Sequence, residues 1–500
     1  MEPMLEPIHQ MARQLKQRYQ IEFQTLILRL PSEIFDIIFT LSEYSTDDEY
    51  DLREHWSRTK PFVLTASHVC RTWRHIALTN SLLWARIYVV PPWKPELIDL
   101  CHKRSHPYLI DFRLTASKAS LQFTYPTLTY RELVDIGRDA VEDFHNLYEV
   151  LAPHITRYHT ISIHISVGID FEPILKYFLD RLCSFPVPVP CLRKLCLQGH
   201  LNFMRKPGGY DRTVFSSGAP ALTEVIMLYP LSLRPDCASR ITRLHLNFGY
   251  LSQRKFHGIV LQCPSLESLV GFNGFNHELG PFQYLKPLRL PSLSSLQLYG
   301  VGTLASFQLL RMLSSSLKRP ALRHLLVAPI RGDGLQMFLS DGGFAPKSFP
   351  ALETLTVGSL RAPVMEWDEV QIVRNVYQCF PDIVKVTFVG GGFRDGLSSL
   401  VSLWPNLQTL GLRGLQEHHF RKQDMINLVI ARREAGVPLR RLNIDRTSLN
   451  QISPQELDQL REGVEVKEDD EWRRLRRESE IDCDSEEMPD RIFHPLQYQF

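Results

Sequence analysis

No run of eighteen consecutive apolar residues occurs in the 500-residue chain, so no membrane-spanning helix is expected. The first thirty residues lack the basic start, apolar centre and small-residue cleavage site of a secretory signal. Cysteine is sparse: nine thiols, at 70, 101, 183, 191, 196, 237, 263, 379 and 483, with no C-x-x-C among them. An odd, scattered set of this kind reads as buried free thiols in a reducing compartment, which makes a cytoplasmic or nuclear location the expectation. Catalytic signatures are missing too. There is no H-E-x-x-H, no G-x-S-x-G and no G-K-[ST]. Gly390, Gly391 and Gly392 follow a strand-like VKVTFV but complete no phosphate-cradling fingerprint, so a turn is expected there. His418 and His419 are adjacent, which is poor spacing for two ligands from one helix face. Neither a metal nor a cofactor is expected, and the chain does not read as an enzyme.

Charge of one sign is also lacking. The net charge is +2, which gives no global field for nucleic acid or membrane. The distribution is uneven, however. From Gly463 to Phe500 there are six Lys/Arg and twelve Asp/Glu, a net of 6 − 12 = −6, so the rest of the chain carries +8. Residues 463–500 therefore read as an acidic, disordered tail. The basic RRLRR at 473–477 lies between acidic runs and reads as a solvated charged helix, and Ser479 and Ser485 sit beside acids.

What the chain has in quantity is leucine in one recurring frame, P-x-L-x-x-L-x-L. It appears as PCLRKLCL at 190–197, PALTEVIM at 220–227, PSLESLV at 264–270 and PSLSSLQL at 291–298. It returns as PALRHLLV at 320–327, PALETLTV at 350–357, PDIVKVTF at 381–388, PNLQTLGL at 405–412 and PLRRLNI at 438–444. RITRLHL at 240–246 and RYHTISI at 157–163 fit without the proline. The first apolar positions, from Leu192 through Leu222, Ile241, Leu266, Leu293, Leu322, Leu352, Ile383 and Leu407 to Leu439, are 19 to 32 residues apart. That is near the leucine-rich-repeat period of about 20–29 residues. Alternation in the strand points both leucines of L-x-L to one face. Helical stretches such as 305–317, 368–380 and 423–435 lie between copies. One strand and one helix cannot bury their apolar faces alone, but stacked copies can. LWARIYVV at 83–90 and PYLIDFRL at 107–114, with a helix at 96–104 between them, suggest that the stacking begins early.

The stretch before the repeats has a different period. Pro31 can open a helix, and Glu33 places a carboxylate in its first turn. Ile34, Ile37, Ile38 and Leu41 follow at helical spacing, with Phe35 and Phe39 as a second ridge. Ala66, Val69, Cys70 and Trp73 repeat the spacing in a second segment. Two short helices this apolar cannot satisfy one another, so their surplus surface needs the rest of the chain or a partner.

Leu30-Pro31-x-Glu33, the Ile34–Leu41 helix, Val69-Cys70-Arg71-x-Trp73 and Leu83-Trp84, in that order, resemble the F-box, the helical module that docks the Skp adaptor of cullin-based ubiquitin ligases. The passage from this stretch into repeats resembles the large fungal F-box families. The resemblance implies that Leu30, Pro31, Ile34, Ile38, Leu41, Val69, Cys70 and Trp73 face the adaptor. It implies a substrate receptor whose partners are a Skp adaptor, through it a cullin ligase, and a target protein. The family joins its first helices tightly, whereas here residues 42–60 intervene with the acidic run T-D-D-E-Y-D. The expected class is α/β: a helical segment at 1–29, an F-box at 30–90 with the insert 42–60, a curved leucine-rich-repeat-like solenoid over 91–462, and the tail. A scaffold working outside any ligase is the alternative. Polar residues flanking the leucines would face the target. Arg243, His245, Asn247, Gln297 and Tyr299 form the densest such group.

Overall fold

The computed structural model describes residues 30–44, 62–90, 94–116, 146–165, 179–183, 187–199, 213–227, 232–248, 253–272, 290–299, 321–328, 349–358, 369–389, 400–413 and 422–469, with Leu251, Leu288, Leu309, Leu313 and Leu397. The segment 1–29, most of the 42–60 insert, the triple glycine, His418, His419 and the residues after Asp469 lie outside this set.

Among the described residues three helices come first: α1 (Ser32–Tyr44), α2 (Phe62–Ser67) and α3 (Arg71–Thr79), followed by a 3-10 turn (Ser81–Trp84). Helix α1 runs to Tyr44, so the first residues of the insert continue the helix. A 14-stranded parallel sheet follows. Its strands are β1 (Arg86–Val89), β2 (Ile110–Ala116), β3 (Tyr158–Ile165), β4 (Lys194–Gly199), β6 (Glu224–Met227), β8 (Arg243–Asn247) and β9 (Ser268–Phe272). It continues with β10 (Ser295–Tyr299), β11 (His324–Ala328), β12 (Thr354–Gly358), β13 (Lys385–Val389), β14 (Thr409–Arg413), β15 (Arg441–Ile444) and β16 (Glu465–Glu468). The two-residue strands β5 (Thr213–Val214) and β7 (Ser232–Leu233) pair separately. Every strand of the large sheet neighbours the next in chain order.

The recurring frame explains the geometry. In copy after copy the proline is the second residue of a tight turn, where its fixed φ suits the chain. Leu222 donates to Ala219 across Pro220, Leu266 to Cys263 across Pro264, and Leu407 to Trp404 across Pro405, at 2.9–3.2 Å. All ten first apolar positions are buried. Before β4, β6 and each strand from β8 to β14, one carbonyl then accepts two N–H groups of the next copy. Thr242 accepts from Glu267 and Ser268, Glu267 from Ser294 and Ser295, and Ser294 from Arg323 and His324. The pattern continues to Gln408, which accepts from Arg440 and Arg441. Two apolar rows follow in register, one through Leu195, Leu244, Leu269, Leu296, Leu325, Leu355, Leu410 and Leu442. In the other row, Gly271 replaces a large residue because the Phe248 ring occupies the place where a Cβ would sit.

Crossover helices include α4 (Pro95–Arg104) between β1 and β2, α5 (Pro235–Ala238) ahead of β8, and α6 (Gln253–Leu261) ahead of β9. Next come α7 (Glu369–Cys379) and α8 (Lys422–Glu434), at the helical stretches read as 368–380 and 423–435. The last are α9 (Arg446–Leu449) and α10 (Pro454–Arg461). The sheet runs past residue 462, where an acidic tail was expected. Val464 is buried, Glu465 pairs with Arg441 across to β15 at 2.9 Å, and Asp469 closes a buried ion pair with Arg413 at 2.6 Å. Acidic composition hid a strand whose charges are matched by arginines on earlier strands.

Two buried polar groups hold the crossovers. Arg432 of α8 is fully covered and donates to the carbonyls of Leu400, Leu403, Trp404 and Val437 at 2.6–3.1 Å. His102 of α4 meets the Tyr158 hydroxyl at 3.0 Å and stacks on His154 at 4.2 Å between centroids. Burial, reinforced by the nearby charges of His154 and Arg157 against the opposing Asp99, pushes His102 down to about 3.

Two expectations follow. Arg432→Lys, which cannot reach four carbonyls, costs about 3 kcal/mol of stability, measured by urea unfolding. His102 binds its proton in the unfolded chain near its usual 6.5 and in the folded chain only near 3. The contribution of His102 to stability is therefore complete above pH 6.5 and lost as pH falls toward 3. His102→Gln, which keeps a partner for Tyr158 but cannot charge, flattens that loss in thermal melts run from about pH 6.5 down to about pH 4.

Candidate functional site

The amino-terminal helices build their own small core. Phe35 and Phe39, one helical turn apart, are fully buried. Trp73 of α3 packs edge-on to both, at 5.7 and 4.9 Å between ring centroids, and Phe62 of α2 packs on Phe39 at 5.4 Å. Pro31 starts α1, its carbonyl accepting from Ile34 at 3.1 Å and Phe35 at 3.3 Å. Cys70 caps α3: its sulfur accepts the Trp73 N–H at 3.4 Å. The Arg74 guanidinium donates to the Ser67 carbonyl at 2.8 Å and closes the α2–α3 corner. Asn80 ends α3, caps the following turn by accepting from Leu82 at 3.1 Å, and donates to the Asp36 carboxylate of α1 at 3.0 Å.

With the phenylalanines turned inward, the other stripe of α1 is left outside. Ile34, Ile37, Ile38 and Leu41 are exposed, reaching 54% at Ile37 and 60% at Leu41. Leu30 precedes them and is exposed, and Val69, at the α2–α3 corner, is 57% exposed. Six large apolar side chains on one small helical unit are an apolar surface of the kind that marks an interaction site. Of the residues read from sequence as adaptor contacts, Leu30, Pro31, Ile34, Ile38, Leu41 and Val69 are exposed. Cys70 and Trp73 are partly covered and serve the cap and the aromatic core. Ile37, absent from that set, is exposed on the same stripe, and its i+3 spacing from Ile34 could have found it.

Trp84 and Ile87, which follow, are buried and lead into the sheet. The Trp84 indole donates to Ala77 at 2.8 Å, and the Arg104 guanidinium of α4 lies 4.6 Å from its ring. The helical unit and the first crossover are thus joined through one tryptophan.

The strand residues named as target contacts fall on β8 and β10, with β9 between them. His245, Val270 and Gln297 share one row, and Asn247, Phe272 and Tyr299 the next. Arg243 is exposed and Gln297 partly so, the latter accepting from the Tyr299 hydroxyl at 2.9 Å. His245, Asn247 and Tyr299 are 7%, 1% and 6% exposed, and Tyr299 stacks on Phe272 at 5.5 Å. The whole row is largely covered, from Cys196 and Ile226 through Val270 and Leu326 to Thr356 and Thr387. The alternation predicted an open polar face. Parallel sheets instead tend to bury both, and the middle residues Ile226, Val270 and Leu326 are themselves apolar.

An F-box-like family model matches residues 27–90, the segment that carries these helices, the 3-10 turn and β1. No curated protein matches the chain. Residues 27–90 form an F-box-like domain, a module of protein interaction. Among the described residues no helix is long and apolar enough to cross a membrane.

The core and the exposed stripe separate by mutation. Trp73→Ala opens the aromatic cluster and costs about 3 kcal/mol in the stability of the helical unit, read by near-ultraviolet dichroism during unfolding. Ile37→Ser, at a side chain already outside, changes stability by less than about 0.5 kcal/mol.

Proposed function

We propose that this chain is the substrate-recognition subunit of a Skp–cullin–F-box ubiquitin ligase. In this reading α1 and the Val69 corner dock the Skp adaptor. The parallel sheet with its crossovers is a leucine-rich-repeat-like solenoid that holds a target protein near the conjugating enzyme, and ubiquitin transfer is accelerated by proximity supplied through other subunits. The target meets the exposed polar positions of the strands, Arg243 among them, with the partly exposed Gln297 beside them. Nucleic acid and membrane have no part in it, and the protein works where cullin ligases work, in cytoplasm or nucleus.

The observation that carries the reading is the exposed stripe Ile34, Ile37, Ile38 and Leu41 on a segment matching the F-box-like family. Each such side chain, once covered, contributes about 1.5–3 kcal/mol, so four or five support a stable complex. A second reading treats the helices as a cap on the first strand, since stacked repeats need a polar-faced end. The burial of Trp84 and Ile87 at that join favours it.

Capture of a purified Skp-type adaptor separates the two. The ligase reading expects wild-type chain to retain adaptor and cullin, and Ile34→Glu with Ile38→Glu to lose at least a hundredfold in adaptor affinity while melting as wild type. Wild-type affinity in that double variant, or native complexes without cullin, would leave the scaffold reading.

A further inference from the structure

Between the docking stripe and the sheet runs an unbroken series of directional hydrogen bonds. It begins on α1, where the Asp36 Oδ1 accepts from the Asn80 Nδ2 at 3.0 Å. The same Asn80 side chain accepts from the Leu82 N–H through Oδ1 at 3.1 Å, while its own backbone N–H ends α3 on Ile76 at 2.9 Å. The Leu82 carbonyl then accepts from Ala85 at 3.1 Å, and the Ala85 carbonyl accepts from Asp111 of β2 at 2.9 Å, which is already a bond of the sheet. The path from Asn80 to Ala85 is short in sequence, and each end of it is fixed.

The rings of Phe35, Phe39, Phe62 and Trp73 hold α1 against α2 and α3. The Asp36–Asn80 bond adds a directional polar contact between α1 and the residues that lead into the sheet. Asp36 occupies the helical position between the buried Phe35 and the exposed Ile37. Burial of Phe35 and Phe39 sets which face of α1 is inward, and a bond at Asp36 ties that face to the residues that run into β1.

We propose that the Asp36–Asn80 pair is the positioning element that sets the angle of the docking helix against the sheet. The proposal rests on the ligase reading for its use: a target on the sheet reaches a transfer site on the adaptor side only if the angle is held. In this role the pair acts through the geometry it enforces. Its chemistry gives an unusual control. Exchanging the two residues, Asp36→Asn with Asn80→Asp, restores an amide-to-carboxylate bond with donor and acceptor reversed. The carboxylate that this exchange places after α3 can still cap Leu82. The single change Asn80→Asp keeps the cap but sets two carboxylates against each other.

The test uses the full-length chain with one dye at Glu33 on α1 and one at Glu434 at the end of α8, both exposed. Single-molecule energy transfer reads the distance distribution, and titration of the unlabelled chain with purified Skp-type adaptor is run in parallel. Wild type gives one narrow distribution. Asn80→Asp and Asp36→Ala each broaden it at least twofold, the exchange variant returns it to the wild-type width, and adaptor affinity stays within threefold throughout. An exchange variant as broad as Asn80→Asp, or single variants as narrow as wild type, overturns the positioning role. Failure of wild type itself to bind adaptor overturns the docking reading and leaves the distance result standing, so the two are told apart.

Discussion

A single carbonyl at the foot of each of nine strands carries the register through most of the sheet. Nine successive copies, from Arg193 to Gln408, present one backbone oxygen that takes two N–H groups from the copy that follows. The bond is between main-chain atoms, so it is indifferent to side chain and to the length of the crossover. That is why copies 19 to 32 residues apart can still stack with their leucines aligned. The prolines serve the same end, fixing the turn that aims the oxygen. Irregular spacing is thereby confined to the crossovers, where a longer loop adds little entropy cost. The alignment of Leu195 through Leu442 is a consequence of this ladder, not an independent fact.

The positions of the strands were legible in the sequence because their signal is local: a proline, a leucine two residues on, and an alternating pair. The first apolar positions and α7 and α8 were read within a residue or two for the same reason. The F-box-like stretch was legible because Leu30, Pro31, Val69, Cys70, Trp73 and Trp84 keep a recognisable order. What stayed hidden depends on contacts between distant residues. The covering of His245 and Tyr299 reflects the neighbours of their strands, and nothing in Arg243–Asn247 announces it. The strand Glu465–Glu468 was masked by its charge, because its partners Arg441 and Arg413 lie 24 and 56 positions away from Glu465 and Asp469. The inward role of Trp73 was obscured too, since a tryptophan in a docking motif suits either face.

Two surfaces compete for the amino-terminal helices. The phenylalanines, Trp73 and Trp84 belong to the molecule itself, and Ile34, Ile37, Ile38, Leu41 and Val69 are left over. The division follows helical geometry, since residues 35 and 39 lie on one side of α1 and 34, 38 and 41 on another. Apolar content that would be surplus in a self-sufficient domain is here split between stability and association. A mutation in one group should not be read as evidence about the other.

The final strand has a further consequence. Among the described residues β16 is the last strand of the sheet, and its residues Glu465, Lys467 and Glu468 are charged and exposed along much of their surface. A bare parallel edge invites another strand to join it, and a chain built of stacked copies is especially exposed to that hazard. Here a newcomer would have to bury charges already engaged with Arg441 and Arg446. Among the described residues the sheet therefore ends on a charged edge, a surface poorly suited to the addition of a further strand.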